Sequence, residues 1–259
     1  MSTVDIFSGD IHSINGLARS YSALDYAQKL RLLLKTVYPS LDLVSCSKKE
    51  LHQIINDTLL KRYSGEEIIK YRLVKEFFKR NVTAAFELKV NNSRVDFLTI
   101  NGETKSFEIK SGLDNLQKLE KQVNDYIKVF EYNHIVLDEK HLSRALNIIP
   151  ETYGIWVFKG AKKKIVRNAF LNKGLDPILQ LNIFNKKELS LFFAGLEDRE
   201  RIADLHTAEE INSLFKQMLK MRYEKKWNFI KKNKDEILPV DFHFFYHNNI
   251  SPNLIYGIS

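Results

Sequence analysis

Asp96, Glu108 and Lys110 are the residues of this chain whose types and spacing could do chemistry together. The runs Arg94-Val-Asp-Phe-Leu-Thr-Ile100 and Lys105-Ser-Phe-Glu-Ile-Lys-Ser111 flank Asn101-Gly102. Asn-Gly between two alternating apolar runs predicts a tight β-hairpin. Side chains alternate across a strand, so Asp96 is expected on one face with Leu98 and Ile100. Glu108 is expected with Lys110, roughly 7 Å apart along the second strand. The folded hairpin would then gather two carboxylates and an ammonium on one side of a small sheet. Carboxylates supply the oxygen ligands that Mg²⁺ prefers. A bound divalent ion lowers the pKa of its water and offsets charge on a phosphoryl oxygen. The lysine can orient that water or neutralise charge developing at phosphorus. The plain alternative is a solvated strand face that happens to carry charge.

An acid followed at a distance by Glu-Ile-Lys resembles the signature of the PD-(D/E)XK nuclease superfamily, with Asp96 as the acid and Glu108-Ile109-Lys110 as the tripeptide. Further residues extend the likeness to one bacterial family within it. Glu108-Ile-Lys-Ser111, Asp114, Leu116, Lys118-Leu119, Gln122 and Tyr126 follow its order, as do His141-Leu142 and Pro150-x-x-Tyr-Gly154. Ser106-Phe107 replaces that family's Gly-Tyr, Lys118 its Arg, and Tyr153 a frequent Trp. The resemblance covers about residues 65–158 and implies an α/β fold with a restriction-endonuclease-like αβββαβ core and a mixed sheet. It also implies that Asp96, Glu108 and the Ile109 carbonyl hold Mg²⁺, with Mn²⁺ as a substitute, and that Lys110 positions the attacking water. The substrate implied is nucleic acid, expected to be DNA.

The elements around the hairpin decide what else could reach such a site. A helix is expected after Ser64, running through Phe78. Ser64-x-x-Glu67 has the spacing of a capping box, which assigns Glu67 to structure. Glu66 has the phase of Ile69, Leu73 and Phe77, the stripe expected to face a sheet. Members of the superfamily often place an extra acid at the start of this helix, so the resemblance assigns Glu66 to the site. Ala84–Val90 reads as a strand with Phe86, Leu88 and Val90 on one face and Glu87 on the other, which keeps Glu87 as a further candidate. The third acid thus stays open among Glu66, Glu67 and Glu87. After Lys110, Asp114 with Gln117 three residues on signals a helix start. Gln122 falls at the edge of the apolar stripe that follows, where it could look towards the acids. The reading gives Gln122 the task of holding the lysine or the scissile phosphate.

The whole chain bounds these readings. Its 259 residues, 44% of them hydrophobic and 12% aromatic, belong to a folded globular protein. The net charge of +8 favours polyanion partners, because lysine and arginine that neutralise phosphates release counterions. Cys46 is the single cysteine, which excludes an internal disulfide and a cysteine-rich zinc site. The start, Met1-Ser-Thr-Val-Asp-Ile-Phe7, carries no secretory pattern and no apolar run is long enough to span a membrane, so a cytoplasmic setting is expected.

Residues 1–62 are expected to be helical, with helices over Ala23–Leu34 and from Lys48 to about Lys61, the second capped by Ser47. Residues 63–160 form the expected nuclease core, including strands at His134–Asp138 and Gly154–Phe158 and a helix at His141–Ile149. Residues 161–259 are expected to be mostly helical and packed on that core, after a basic turn-and-strand over Lys159–Ile165 that pairs with 154–158, and with a long helix from Ala208 capped by Thr207. Its lysines and aromatics could track a phosphate backbone, though a solvated face over a core face is the commoner origin of such a pattern. His243 and His247 form no ligand spacing recognised from the sequence. The reading that follows is a Mg²⁺-dependent endonuclease or exonuclease acting on DNA, compatible with a homodimer and with phage defence, restriction or DNA repair. The rival from another class is a catalytically inactive module that binds nucleic acid or protein on the same fold.

Overall fold

The structure is a computed structural model, and it describes residues 10–257. The start of the chain that was read for a secretory pattern therefore lies outside the described residues. Four helices come first: α1 Ile11–Ser20, α2 Ala27–Val37, α3 Lys48–Arg62 and α4 Glu66–Lys75. Three strands follow, β1 Thr83–Val90, β2 Ser93–Ile100 and β3 Thr104–Lys110, then α5 Leu119–Ile127 and β4 Tyr132–Asp138. Next are α6 Leu142–Ala145, β5 Gly154–Lys159, β6 Lys162–Arg167, α7 Pro177–Leu181, α8 Lys186–Phe192, α9 Arg199–Leu205 and α10 Ala208–Asn233. The last helices are α11 Phe242–Asn248 and α12 Pro252–Tyr256. No helix among the described residues is long and apolar enough to cross a membrane.

Two compact units divide the chain, one running to Tyr71 and resuming at Phe229, the other spanning Arg72–Asn228. This division cuts across the three consecutive stretches expected from the sequence, because the end of the chain shares a unit with its beginning. The first unit is helical. Leu30, Leu34, Leu51, Ile55 and Leu59 form the centre of its core, with Ile14 and Leu17 of α1 against them. Ser47 caps α3 as expected, and Glu50 returns the bond in a full capping box.

The second unit holds a six-stranded mixed sheet in sequence order, β1 to β6. β1, β2 and β3 are antiparallel, β3–β4 and β4–β5 parallel, and β5–β6 a closing antiparallel hairpin. Each parallel step needs a crossover, which α5 and α6 supply. The β2–β3 turn has three residues, because Ile100 pairs with Thr104, and Gly102 takes φ +69° there. One sheet face packs on α5 and the later helices through Leu98, Ile100, Tyr126, Phe130, Phe215 and Met218. The other carries Phe77, Phe86, Phe97 and Phe107, whose ring centroids lie 5.0–5.8 Å apart. Thr207 caps α10 through a bond from the Glu210 amide, as expected.

Several expectations need correcting. α4 stops at Lys75, so Phe77 reaches the sheet from the turn that follows. It starts at Glu66, which makes Gly65 the residue before the helix and leaves Ser64 one place outside the capping position. Asp114 does not open a helix. It accepts bonds from the Ser111 amide and hydroxyl at 2.7 and 2.6 Å, closing the turn after Lys110, and α5 begins only at Leu119. The 141–149 helix shrinks to α6, the rest being turns. The alternation expected along β1 also fails. Ala85, Leu88 and Val90 of β1 share one cluster with Val95, Leu98 and Ile100 of β2, which a strict period of two does not permit.

Candidate functional site

The break in alternation falls at Glu87 and Asp96. The β1–β2 ladder pairs Phe86 with Phe97 and Leu88 with Val95, and skips the facing residues Glu87 and Asp96 between them. Glu87 sits at φ 55°, a left-handed conformation rare for a residue with a side chain and rarer inside a strand. That kink moves Leu88 to the face that Phe86 does not occupy. Glu87 and Asp96 each offer a carboxylate oxygen within 4.8 Å of the other. Arg94 lies 3.8 Å from Glu87 and moderates its charge.

The β2–β3 ladder ends at the same level. Its last pair is Phe97 with Phe107, so Asp96 and Glu108 stand just past the point where the strands part. The Asp96 side chain fills that gap: Oδ2 accepts the Ile109 backbone N–H at 2.6 Å. Asp96 was expected on the apolar face with Leu98 and Ile100. Its carboxylate instead lies along β3, because an unpaired buried amide demands an acceptor.

Glu108 is 2% exposed and Lys110 9%. Lys110 Nζ bonds Glu108 Oε1 at 2.7 Å, and Tyr126 of α5 donates its hydroxyl to Glu108 Oε2 at 3.0 Å. Burial alone would lower the Lys110 pKa. The charge and hydrogen bond of Glu108 outweigh it, with help from Asp96 and Asp114, and raise it above the usual lysine value. The amine is therefore a fixed ammonium at neutral pH. Burial first, then the Glu108 and Asp96 charges, push the Tyr126 hydroxyl up, so it stays a proton donor. Both ladder neighbours in the parallel pair, Ile135 and Leu137, are fully buried.

Asp96, Glu108, Ile109 and Lys110 thus meet at one splayed strand end, and Glu87 joins Asp96 there. Gln122 sits on α5, one turn before Tyr126, and its Oε1 is buried with no hydrogen-bond partner. Glu66 opens α4 and pairs with Lys70 at 2.8 Å. Tyr126 entered the sequence reading as one residue of the family pattern, with no task at the site. Its hydroxyl contact was legible from Glu108, since a buried carboxylate needs a second donor.

The family described as bacteriophage P4 protein cII matches residues 48–245, most of this chain. The chain belongs to that family. Protein cII of Enterobacteria phage P4 is 27% identical over 134 residues, which is 48% of this chain and 51% of that protein. The chain therefore spans about half the length of the curated cII relative it matches. Among solved structures, a protein of unknown function from Silicibacter pomeroyi aligns with 19% identity and a TM-score of 0.34, over 43% of this chain and 75% of that one.

Proposed function

We propose that this cII-family chain is a metal-dependent nuclease of the PD-(D/E)XK type, acting on DNA phosphodiesters. One observation carries the reading: two acids and a lysine, all nearly buried, converge where β2 and β3 part, with Asp96 on the Ile109 amide at 2.6 Å and Lys110 on Glu108 at 2.7 Å. The donor set fits a hard divalent cation, because it consists of carboxylate and carbonyl oxygen. The ammonium already beside Glu108 occupies a place where positive charge is stabilised. Asp96, Glu108 and the Ile109 carbonyl would hold Mg²⁺ or Mn²⁺, which when bound supplies a Lewis acid and a water of lowered pKa.

The chain's own groups then divide the work. Lys110, protonated because its pKa is raised, donates to the attacking water or to a phosphate oxygen and takes no proton from it. Gln122 offers a buried acceptor oxygen, which suits the lysine ammonium or the water better than an anionic phosphate. Tyr126 holds Glu108 in register. Glu66 and Glu87 are the further acids. Glu87 has the stronger support, its left-handed backbone being the strain that brings its carboxylate to Asp96. The net charge of +8 suits a polyanionic substrate.

The test is incubation of the purified chain with labelled duplex, branched and single-stranded DNA and RNA, with and without Mg²⁺ or Mn²⁺. Metal-dependent cleavage lost in Lys110→Ala is expected, with DNA cut in preference to RNA. Binding without cleavage would favour the inactive module. A purely structural reading has one observation in its favour, that Lys110 and Tyr126 already bond both oxygens of Glu108. It predicts no divalent-ion binding at all.

A further inference from the structure

In the helical unit, α11 presents two histidines that the nuclease reading does not use. Phe242, Phe245 and Tyr246 of α11 are at most 4% exposed and anchor one face of the helix. The spacing of those anchors puts His243 and His247, one turn apart, together on a flank of the helix about 130° round from the packed face. His243 Nε2 and His247 Nε2 lie 2.9 Å apart, with the rings inclined at 72°. Both line a cleft of about 420 Å³, together with Tyr21, Tyr63, Glu67 and Asp241.

The helix that carries the pair is held firmly. Asp241, immediately before α11, accepts Tyr21 OH at 2.8 Å and Tyr256 OH at 2.7 Å. The Val240 amide donates to Asn56 Oδ1 at 2.8 Å, tying the same entry to α3. Asn249 ends the helix at φ 54°, its amide bonded to Phe245 O. Ring positions on such an element are fixed before any ligand arrives.

We infer that His243 and His247 form a bidentate site for a late first-row transition-metal dication, of the Ni²⁺ or Cu²⁺ class, opening into this cleft. Metal–imidazole bonds are about 2.0–2.1 Å. Once the ring that donates this hydrogen bond carries its proton on Nδ1 instead, two Nε2 atoms 2.9 Å apart, each at that length from one ion, subtend about 90°. That is the cis angle of tetragonal or octahedral coordination, which Cu²⁺ and Ni²⁺ favour. Tetrahedral Zn²⁺ would need the nitrogens about 3.3 Å apart. Among the described residues no carboxylate groups with the two rings within 4.8 Å, so water in the cleft takes the remaining positions. The site is independent of Asp96 and Glu108 and stands or falls separately from the nuclease reading.

The experiment uses the full chain at about pH 7.5. Calorimetric titration with NiCl₂ and with ZnCl₂ is expected to show one Ni²⁺ equivalent bound at least ~10-fold more tightly than Zn²⁺ relative to their order on free imidazole. His243→Gln and His247→Gln should each lose that step, while Asp96→Asn should retain it. His247 is exposed, so its variant keeps the packed face of α11. Electron paramagnetic resonance of the Cu²⁺-loaded wild type adds a readout free of any variant, and should show coupling to two imidazole nitrogens. Equal Ni²⁺ binding by wild type and the double variant, or a copper spectrum with oxygen ligands alone, would overturn the proposal and leave the pair as a hydrogen bond between two rings.

Discussion

Asp96 and the Ile109 backbone are joined across the gap between β2 and β3, the carboxylate taking the place of the strand partner that Ile109 lacks on that side. One side chain thereby has two tasks that substitution can separate. Asp96→Asn keeps an oxygen for the Ile109 amide and should leave urea stability close to wild type. It removes a unit charge, worth about 4 kcal/mol at roughly 4 Å and an effective dielectric near 20. If half of that survives to the transition state, metal-dependent cleavage falls about 30-fold, and roughly a thousandfold if all does. Asp96→Ala should lose the same activity and also about 1–3 kcal/mol of stability, from the orphaned amide. An Asp96→Asn variant that cleaves like wild type would end the nuclease assignment.

The parts of the site legible in the sequence are those carried by residue type and local spacing. Glu-Ile-Lys on a strand after an Asn-Gly turn was enough to single out Asp96, Glu108 and Lys110 on neighbouring strands of one hairpin, though not the turn of the Asp96 carboxylate towards the Ile109 amide. What stayed hidden follows from backbone conformation and from distant partners. Nothing in Ala-Phe-Glu-Leu-Lys marks Glu87 as left-handed, so period-two counting carried Leu88 to the wrong face. Asp114 looked like a helix cap because the same side chain caps a turn by the same bond. His243 and His247 stand four apart, a spacing that says nothing until the segment is known to be helical.

The two glutamates at the start of α4 should behave differently. Glu67 is exposed and Gly65, not Ser64, precedes the helix, so Glu67→Ala should shift stability by no more than about 0.5 kcal/mol and leave Mn²⁺ affinity unchanged. Glu66→Gln should weaken Mn²⁺ binding several-fold in a calorimetric titration. Exchanged phenotypes would show that Glu67 is the acid that assists.

His134 makes the sheet sensitive to acid. Its ring stacks on Phe107 at 4.5 Å and Nδ1 meets Ser106 O at 3.2 Å. Burial holds the imidazole down at about 4. In the unfolded chain it returns to about 6.5. The folded state thus favours the neutral ring, so its contribution is complete above about pH 6.5 and is lost as pH falls towards 4. The gap corresponds to roughly 3 kcal/mol. Urea unfolding at about pH 7 and about pH 4.5 should show a smaller acid loss in His134→Gln than in wild type. Equal slopes would place the ring's ionisation elsewhere.

Lys110 decides between catalysis and mere packing. Lys110→Ala strips the buried Glu108 carboxylate of its cation, and losing one partner of a buried pair costs about 3–5 kcal/mol. On the structural reading that loss is final, because nothing else replaces the ammonium. On the nuclease reading a divalent ion takes over the neutralisation of Glu108 and Asp96. Mn²⁺ should then bind the variant at least as tightly as wild type, and at a hundred times its dissociation constant restore about 2.7 kcal/mol of stability. Cleavage should stay abolished under the same conditions, since the water or phosphate has lost its donor. Thermal melts of both proteins with and without Mn²⁺, beside the cleavage assay, separate the outcomes. A variant that Mn²⁺ fails to stabilise would mean that Lys110 and Glu108 are a buried ion pair and nothing more.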